Sequence, residues 1–381
     1  MSTLRVDAIR HNSATSDAIT TAADGTCTAK LTSIGGGQLS HRNLIINGAM
    51  QVAQRGTSYT GTDQYNTVDR FLTRIGGVDE NCTMEQVDVG SGTTPYSLGF
   101  RKSFKITNGN QTSGAGAGDY IQIIQRIEAQ NVAQSGWNYV SSSSNITLSF
   151  WVRSSVAQNF YGYLRSIDGT GQLYPFETGS LTADTWTKIT KTIPGNSNLT
   201  FDINNGEGLQ FQIAQFWGTD YTDAGVSLNA WAAYASGTRA PNYTSTWYTT
   251  NDATFELTGV QLEVGPVATP FEHLSFGEDL LRCYRYYYRL KGENNKTYMI
   301  GMSDNDNLNI YGFFHFPVPM RIAPTSIEQN GTASHYKVRR DTTKSCTAVP
   351  AFIDAMDFYC RVNFPSSGHG WGTGQMLWCQ G

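Results

Sequence analysis

Hydrophobic and polar residues alternate along much of the chain. Ile146, Leu148, Phe150 and Val152 are separated by polar or amphipathic residues, and Leu209, Phe211 and Ile213 are separated by Gln210, Gln212 and Ala214. A period of two with one apolar face is typical of an antiparallel sheet that buries one side. Long helical periodicity is absent. Residues 41–274 are therefore predicted to form an antiparallel β-sandwich of the jelly-roll type.

Two glycine-containing sites interrupt this alternation. Around Gly259 the apolar phase changes, from Phe255 and Leu257 to Val260 and Leu262, which predicts a β-bulge at the glycine. Earlier in the chain, Asp24-Gly25 lies between two β-prone tetrapeptides and predicts a hairpin. Residues 1–40 are too few to bury a core of their own. They are expected to be an attachment segment that packs on another chain or on copies of itself.

One helix is predicted, over residues 275–290, between the sandwich and a small β domain at 291–381. Ser275 and Glu278 form a capping box at its start. Leu281, Tyr284 and Tyr288 follow at helical spacing and are candidates for a trimer interface. The alternative is that this helix packs on its own sandwich.

Composition excludes several classes of protein. Charged residues make up 15% of the chain, and 27 basic against 31 acidic residues give a formal net charge of −4, which argues against nucleic-acid binding. No run of 18 apolar residues predicts a membrane span, and residues 1–7 lack the apolar core of a signal peptide. The six scattered cysteines are expected to be free thiols.

Sequence motifs give little reason to expect an enzyme or a cofactor. The phosphate-binding, zinc-protease and serine-hydrolase motifs are absent, and the six histidines lack ligand spacing. A structural calcium is the one cofactor considered, with two candidate sites. The candidate ligand sets are the acidic stretch at 304–307 and the trio Asp69, Glu256 and Glu263. A polar turn is the more ordinary interpretation of residues 304–307.

Carboxylate pairs for glycoside hydrolysis are a further alternative. The pairs considered are Asp220 with Asp223, and Asp184 with Glu177. Such a mechanism needs two carboxyl groups held roughly 5–10 Å apart in one cleft.

Aromatic residues are concentrated in the stretch 216–248, which has eight in 33 positions among small polar residues. Exposed rings can cover the apolar face of a sugar while amide and carboxylate groups bind its hydroxyls. The alternative is that the rings cover a sandwich edge or a seam between subunits. A second group lies near the C-terminus, beside His369. The glycan-binding candidates are Trp217, Tyr221, Trp231, Tyr234, Trp247, Trp371 and Trp378.

Several strings resemble the tail fibres of tailed bacteriophages. Residues 43–56 (NLIINGAMQVAQRG), 67–71 (TVDRF), 257–265 (LTGVQLEVG) and 268–272 (ATPFE) resemble a β-sandwich module of such fibres. Residues 282–287 (RCYRYY) and 316–321 (FPVPMR) resemble the segment that follows it, and residues 2–7 (STLRVD) resemble attachment segments of marine phages, cyanophages especially.

The resemblance implies a homotrimeric receptor-binding protein, assembled in the host cytoplasm and incorporated in the virion. Its N-terminal segment would dock on tail proteins such as a nozzle or adaptor, and its distal β domains would contact a host surface glycan without catalysis. Neither nucleic acid nor membrane insertion is expected. Two alternatives remain. One is a polysaccharide-depolymerase tailspike, although the long strand repeat typical of such spikes is absent. The other is a structural virion accessory without a receptor role.

Overall fold

The computed structural model describes most of the chain, with gaps near the N-terminus and in the C-terminal domain. The described residues are 6–10, 12–13, 15, 18–23, 27–29, 41–290, 297–304, 308–367, 371 and 375–380. Every strand pairing among them is antiparallel, apart from one isolated bridge.

The N-terminal segment forms a three-stranded sheet. Its strands are β1 (Ala8–Ile9), β2 (Ile19–Thr21) and β3 (Cys27–Ala29). β2 and β3 pair antiparallel on either side of the predicted turn, which confirms the hairpin.

Two six-stranded sheets form the sandwich. Its strands are β4 (Ser58–Thr60), β5 (Leu72–Gly76), β6 (Thr83–Asp88), β7 (Lys102–Thr107), β8 (Tyr120–Glu128), β9 (Asn145–Ser154), β10 (Asn159–Ser166), β11 (Gln172–Ser180), β12 (Thr187–Pro194), β13 (Glu207–Trp217), β14 (Ala232–Ala233) and β15 (Thr254–Val264). Sheet A has the order β14-β11-β10-β13-β8-β5, and sheet B has the order β12-β9-β15-β7-β6-β4. The predicted jelly-roll sandwich is confirmed.

Large apolar side chains fill the space between the two sheets. Phe150 from sheet B and Phe211 from sheet A are both fully buried, with ring centroids 5.8 Å apart. Ile146, Leu148 and Val152 are buried on the same face of β9, as their alternation predicts. Each such side chain contributes about 1.5–3 kcal/mol by leaving water.

The sandwich begins with residues 43–50, which are held against β15 by side-chain hydrogen bonds. The Asn43 amide donates to the Val260 carbonyl at 3.0 Å, and its oxygen accepts from the Leu262 amide at 3.0 Å. Gly48 lies so close to this strand that a Cβ atom there would sit 2.1 Å from the Val260 carbonyl oxygen. The predicted bulge follows directly: Gly259 has φ +62°, and the strand register shifts between Thr258 and Gln261.

The described residues include four short α-helices. They are α1 (Thr94–Ser97), α2 (Ala129–Ala133), α3 (Thr246–Thr249) and α4 (Phe276–Tyr284). Helix α4 has the predicted capping box, with the Glu278 amide donating to the Ser275 hydroxyl at 3.3 Å. Helix α4 ends at Tyr284, six residues earlier than predicted. Residues 285–290 are not helical and connect the sandwich to the C-terminal domain.

Two of the three trimer-interface candidates pack on aromatic rings of the same chain. Tyr288 stacks on Phe314 of the C-terminal domain at 5.1 Å, and its ring meets Tyr284 edge-on at 4.7 Å. Part of each ring is therefore covered by the same chain, and both residues remain half-buried candidates for a subunit interface. The opposite side of α4 contacts the sandwich through Cys283, which is 1% exposed. Leu281 is 46% exposed and stays a candidate.

The C-terminal domain contains one seven-stranded sheet. Its strands are β16 (Thr297–Ser303), β17 (Asn309–His315), β18 (Lys337–Arg339), β19 (Thr343–Ser345), β20 (Ala351–Ala355), β21 (Tyr359–Pro365) and β22 (Met376–Gln380), in the order β19-β18-β22-β16-β17-β21-β20. One face buries Ile310, Val338 and Phe364. The other, which we call the open face, leaves large apolar side chains 46–73% exposed; they are Ile300, Met302, Phe313, Met376 and Trp378. None of the described helices is long and apolar enough to cross a bilayer.

Candidate functional site

The outer face of sheet A carries a row of polar and aromatic side chains. On β10 the side chains of Phe160 and Leu164 are in the core, so the alternate residues Tyr161, Tyr163 and Arg165 face outward. Across the sheet, Tyr163 lies opposite Gln212 and Arg165 lies opposite Gln210 on β13. Strand register thus brings phenol, amide and guanidinium groups side by side.

The inner layer of this face is a buried hydrogen-bond chain, which we call the platform. The Tyr163 hydroxyl donates to the Gln212 side chain, whose amide donates to Gln122 Oε1 on β8. Trp217 Nε1 donates to the same Gln122 oxygen at 2.5 Å, and the Trp217 ring stacks on Tyr163 at 5.5 Å. Burial raises the pKa of Tyr163, so its phenol stays protonated as a donor. Each polar group named here is satisfied within the platform, which fixes its geometry.

The loop 218–245 crosses the platform and is held on it by the half-buried Tyr243. The Tyr161 amide donates to the Tyr243 hydroxyl at 2.6 Å, and that hydroxyl donates to the Ala214 carbonyl at 2.8 Å. The rings of Tyr161 and Tyr243 meet edge-on at 5.0 Å. The loop is therefore held on the sheet as a second layer.

Tyrosine rings and guanidinium groups contact one another where that loop meets the sheet. Arg239 Cζ lies 4.5 Å from the centroid of the Tyr221 ring, and Tyr221 meets the Tyr120 ring edge-on at 5.5 Å. Arg165 Cζ lies 3.5 Å from the centroid of the Tyr234 ring. All five residues are half-buried. We call this set the tyrosine–arginine surface.

Backbone pairing holds these side chains in position. The Arg239 amide donates to the Tyr221 carbonyl at 2.9 Å, next to an isolated parallel bridge between Thr222 and Ala240, so two segments of the loop lie side by side. The Tyr234 amide donates to the Gly171 carbonyl at 2.8 Å, next to the short strand pair of β14 and β11. Burial raises the pKa of Tyr163, and the charges of Arg239 and Arg165 act against this larger effect to lower it.

The structure brings together two of the predicted glycan-contacting rings, Tyr221 and Tyr234. Trp217 and Trp247 are 1% and 0% exposed, so their prediction as ligand contacts is wrong. Trp217 belongs to the platform, and Trp247 fills the sandwich core with its Nε1 donating to the Thr254 carbonyl at 3.0 Å. Trp231 covers a sandwich edge instead, where its Nε1 donates to the Pro194 carbonyl at 2.7 Å.

The two C-terminal candidates are not adjacent to this surface. Trp371 is 8% exposed and belongs to the core of the C-terminal domain, so its prediction as a ligand contact is also wrong. Trp378 is 47% exposed on the open face. His369, which was grouped with them, lies outside the described residues.

Sequence reasoning missed three residues of the tyrosine–arginine surface. Tyr120, Arg165 and Arg239 were not singled out, although Arg165 follows the same alternation that identified the other strands. The buried glutamines Gln122 and Gln212 were also missed as a platform. Polar residues that alternate with apolar ones on adjacent strands could have indicated this face, but the loop that covers it has no such period.

Three of the four carboxylates considered for hydrolysis bind other groups of the chain. Asp184 pairs with Arg153 of sheet B at 3.2 Å, whereas Glu177 accepts a hydrogen bond from Asn159 of sheet A at 2.7 Å. The predicted Asp184–Glu177 pair is therefore divided between the two sheets. Asp223 Oδ1 accepts from the Gly225 amide at 2.7 Å in a local turn.

The calcium candidates likewise bind protein donors. Asp69 Oδ1 accepts from the Gln54 amide at 2.9 Å, Glu256 Oε2 accepts from the Ser103 hydroxyl at 2.9 Å, and Glu263 Oε1 accepts from the Thr269 amide at 2.8 Å. Across the described ranges, no three His, Cys, Asp or Glu side chains are grouped so as to hold a metal ion. Residues 305–307 of the other candidate lie outside those ranges.

A cleft of about 1380 Å³ separates the sandwich from the C-terminal domain and is also rich in arginine and tyrosine. Its charges are used to join the two domains. Arg285 Nε binds Glu128 at 2.7 Å, and Arg55 Nη2 binds Glu328 at 2.6 Å. Burial acts to raise the pKa of Glu128, but hydrogen bonds from Arg285 and Tyr286 outweigh it and lower the pKa. These groups are engaged with one another, in contrast to the guanidinium groups of the tyrosine–arginine surface.

No protein-family profile matches the sequence, and no curated protein sequence matches it. Similar solved structures include the enzymatically active domain of tailspike protein 4 of bacteriophage CBA120, with 10% identity and a TM-score of 0.30 over 58% of this chain and 21% of that one. The chain thus matches about a fifth of the tailspike structure.

Two carbohydrate-binding structures are also similar. A family 11 carbohydrate-binding module from Clostridium thermocellum, in complex with a β-1,3-1,4-mixed-linked tetrasaccharide, has 13% identity and a TM-score of 0.24, covering 57% of this chain and 98% of that one. The tandem CBM22-1–CBM22-2 domain of Xyn10C from Paenibacillus barcinonensis has 8% identity and a TM-score of 0.26, covering 92% of each chain. Identities this low concern the fold alone.

Proposed function

We propose that this chain binds glycans through the tyrosine–arginine surface and acts as a phage tail fibre that attaches the virion to the host cell. The observation that carries the glycan-binding part is the pair Tyr221 and Tyr234, held half-exposed over a fixed polar platform. The tail-fibre part is supported by the sequence strings, above all residues 43–56 and 257–265.

The chemistry of the surface suits a sugar ring. A tyrosine ring covers the apolar C–H face of a pyranose and costs little entropy, because it has only two side-chain torsions. Guanidinium groups beside the rings can donate to sugar hydroxyls. Since Tyr163 and Trp217 fix the layer beneath, little ordering is left to offset binding.

Assembly into a homotrimer is the second part of the proposal, and the open face of the C-terminal sheet supports it. Trp378, Ile300 and Phe313 are neighbours across three strands, through the register of β22 with β16 and of β16 with β17. Contiguous apolar side chains of this size on a sheet face mark an interaction site. Further copies of the chain would cover this face, which would align three glycan sites and raise avidity by roughly 10²–10⁴.

A glycan array with the purified chain tests the binding part. A Tyr221→Ala/Tyr234→Ala double variant should bind at least about fivefold more weakly, since each ring contact contributes about 0.5–1.5 kcal/mol. Tyr59→Ala is the matched control, because Tyr59 is 39% exposed on an edge strand of sheet B. Unchanged binding by the double variant would refute the site. Release of reducing ends from host polysaccharide would favour a depolymerase instead.

Light scattering tests the assembly. The chain should have three times its 41.9 kDa mass, and a Phe313→Ser/Trp378→Ser variant should lose that association while the sandwich stays folded. A stable monomer of the unmodified chain would overturn the trimer. Blocking adsorption with antibodies against the sandwich separates a receptor role from that of a structural accessory.

A further inference from the structure

Two arginines of the sandwich differ from the other seven because their guanidinium groups make neither an ion pair nor a hydrogen bond with the described residues. Seven of the nine arginines between residues 41 and 274 bind a carboxylate or a backbone carbonyl; they are Arg42, Arg55, Arg70, Arg74, Arg101, Arg126 and Arg153. Within the described residues, Arg165 and Arg239 make neither contact. The Nε atom of each is buried without a hydrogen-bond partner, a feature that they share with Arg42, Arg70 and Arg126.

Both unpartnered guanidinium groups lie on the tyrosine–arginine surface. Each lies over a tyrosine ring, with Arg165 Cζ 3.5 Å from the centroid of Tyr234 and Arg239 Cζ 4.5 Å from the centroid of Tyr221. Stacking orients a guanidinium plane and leaves its in-plane N–H donors free to bind another group. The surface therefore presents two oriented cations, at a place where a partly desolvated charge without a counter-ion is costly.

Among the described residues, no carboxylate makes an ion pair with either of these cations. Glu207 pairs with Arg126 at 3.5 Å, and Glu177 accepts from Asn159. Asp220 and Asp223 are exposed on the loop, and Asp223 binds the Gly225 amide. The carboxylates of the chain itself therefore leave both guanidinium groups available to a ligand.

We infer that the ligand of this surface is an anionic glycan, whose carboxylate or sulfate groups bind Arg165 and Arg239 while its rings contact Tyr221 and Tyr234. The inference rests on the proposed glycan binding at the same surface. A guanidinium group matches carboxylate and sulfate oxygens with two parallel hydrogen bonds, which a neutral hydroxyl cannot provide. Because the chain carries a net charge of −4, a polyanion gains nothing from the protein's overall field, and binding must come from this local pair.

Dextran, carboxymethyl-dextran and dextran sulfate form a matched set of probes, because they share one backbone and differ in charge. Binding to the full chain is measured by titration calorimetry at about 50 and 300 mM salt, across which the Debye length falls from roughly 14 to 6 Å. At least one anionic probe should bind about tenfold or more tightly than dextran and weaken as salt rises. The probe that binds better identifies the preferred group, carboxylate or sulfate.

Substitutions then locate the binding. Arg165→Gln and Arg239→Gln should each weaken anionic binding about tenfold, whereas lysine at either position should restore part of it. Arg101→Gln is the matched control, since Arg101 also stacks on a tyrosine, with its Cζ 3.9 Å from the Tyr96 ring centroid, but donates to backbone carbonyls. An equal loss in Arg101→Gln would overturn the site, because it would indicate a diffuse charge effect.

The two proposals can fail separately. If dextran or neutral host glycans bind as well as the anionic probes, and the glutamine variants are unaffected, the anionic ligand is refuted while glycan binding stands. If no glycan of either kind binds, and Tyr221→Ala/Tyr234→Ala changes nothing, the proposed function itself fails.

Discussion

Replacing Glu128 by glutamine tests how the C-terminal domain is joined to the sandwich. Glu128 lies at the end of β8 and is 3% exposed. Its carboxylate accepts from Arg285 Nε at 2.7 Å and Nη2 at 2.8 Å, and from the Tyr286 hydroxyl at 2.6 Å. These bonds hold the first residues after α4, so the substitution should loosen the connection between the domains.

The expected magnitude follows from the burial of the two partners. Breaking a buried ion pair costs about 3–5 kcal/mol, but Arg285 keeps 30% of its side chain in water, which reduces the cost. Glutamine also retains one acceptor. We expect Glu128→Gln to lower the free energy of unfolding by about 2–3 kcal/mol, which corresponds to about 4–12 °C in melting temperature.

Calorimetric melting at neutral pH measures this loss. Asp88→Asn is the control, because Asp88 pairs with Lys102 at 2.6 Å with its side chain 82% exposed, and its loss should change little. The pKa of Glu128 is lowered in the folded chain, so its contribution is present above the ordinary value of 4.5 and lost as pH falls through the lowered one. The difference in melting temperature between the unmodified chain and Glu128→Gln should therefore become smaller as the pH is lowered. Equal melting of Glu128→Gln and Asp88→Asn at neutral pH would refute the reasoning.

Two further substitutions test the sandwich. Gly259→Ala should cost about 1–3 kcal/mol, measured by urea denaturation, since φ is +62° and the new Cβ would lie 2.7 Å from the Phe100 ring; a variant as stable as the parent would show that the bulge relaxes. Trp247→Phe should lower stability by about 1–3 kcal/mol, through loss of the bond to Thr254 and of ring volume, yet leave glycan binding unchanged on the array. Reduced glycan binding by this variant, at a temperature where it is folded, would indicate that Trp247 contacts the ligand.

Structural elements that depend only on residues close together in sequence were predictable. The alternation of Ile146, Leu148 and Phe150 requires one buried face, and all three are buried. The phase change at Gly259 and the capping box at Ser275 depend on neighbouring residues only, and both are present. Such features need no knowledge of distant parts of the chain.

Side-chain exposure in the aromatic stretch was not predictable, because it depends on contacts far apart in sequence. Trp217 is covered because its ring stacks on Tyr163, 54 residues earlier, and its Nε1 binds Gln122. The residues that follow α4 also have partners far away in sequence, since the side chains of Arg285 and Tyr286 bind Glu128. The sequence around an aromatic residue in a loop does not indicate whether its ring will be buried against the sheet or exposed to solvent.

The sandwich begins and ends at adjacent points, with a mechanical consequence. The Asn43 amide donates to Glu272 at 2.9 Å, Arg282 donates to the Asn43 carbonyl at 3.3 Å, and Arg42 donates to the Pro270 carbonyl at 3.1 Å. Tension applied between the segment before Arg42 and the domain after α4 would pass across these few bonds and bypass both sheets. The sandwich would then lie outside the path of the applied force. We expect the hydrogen bonds between its first and last residues to break before any strand separates from its sheet.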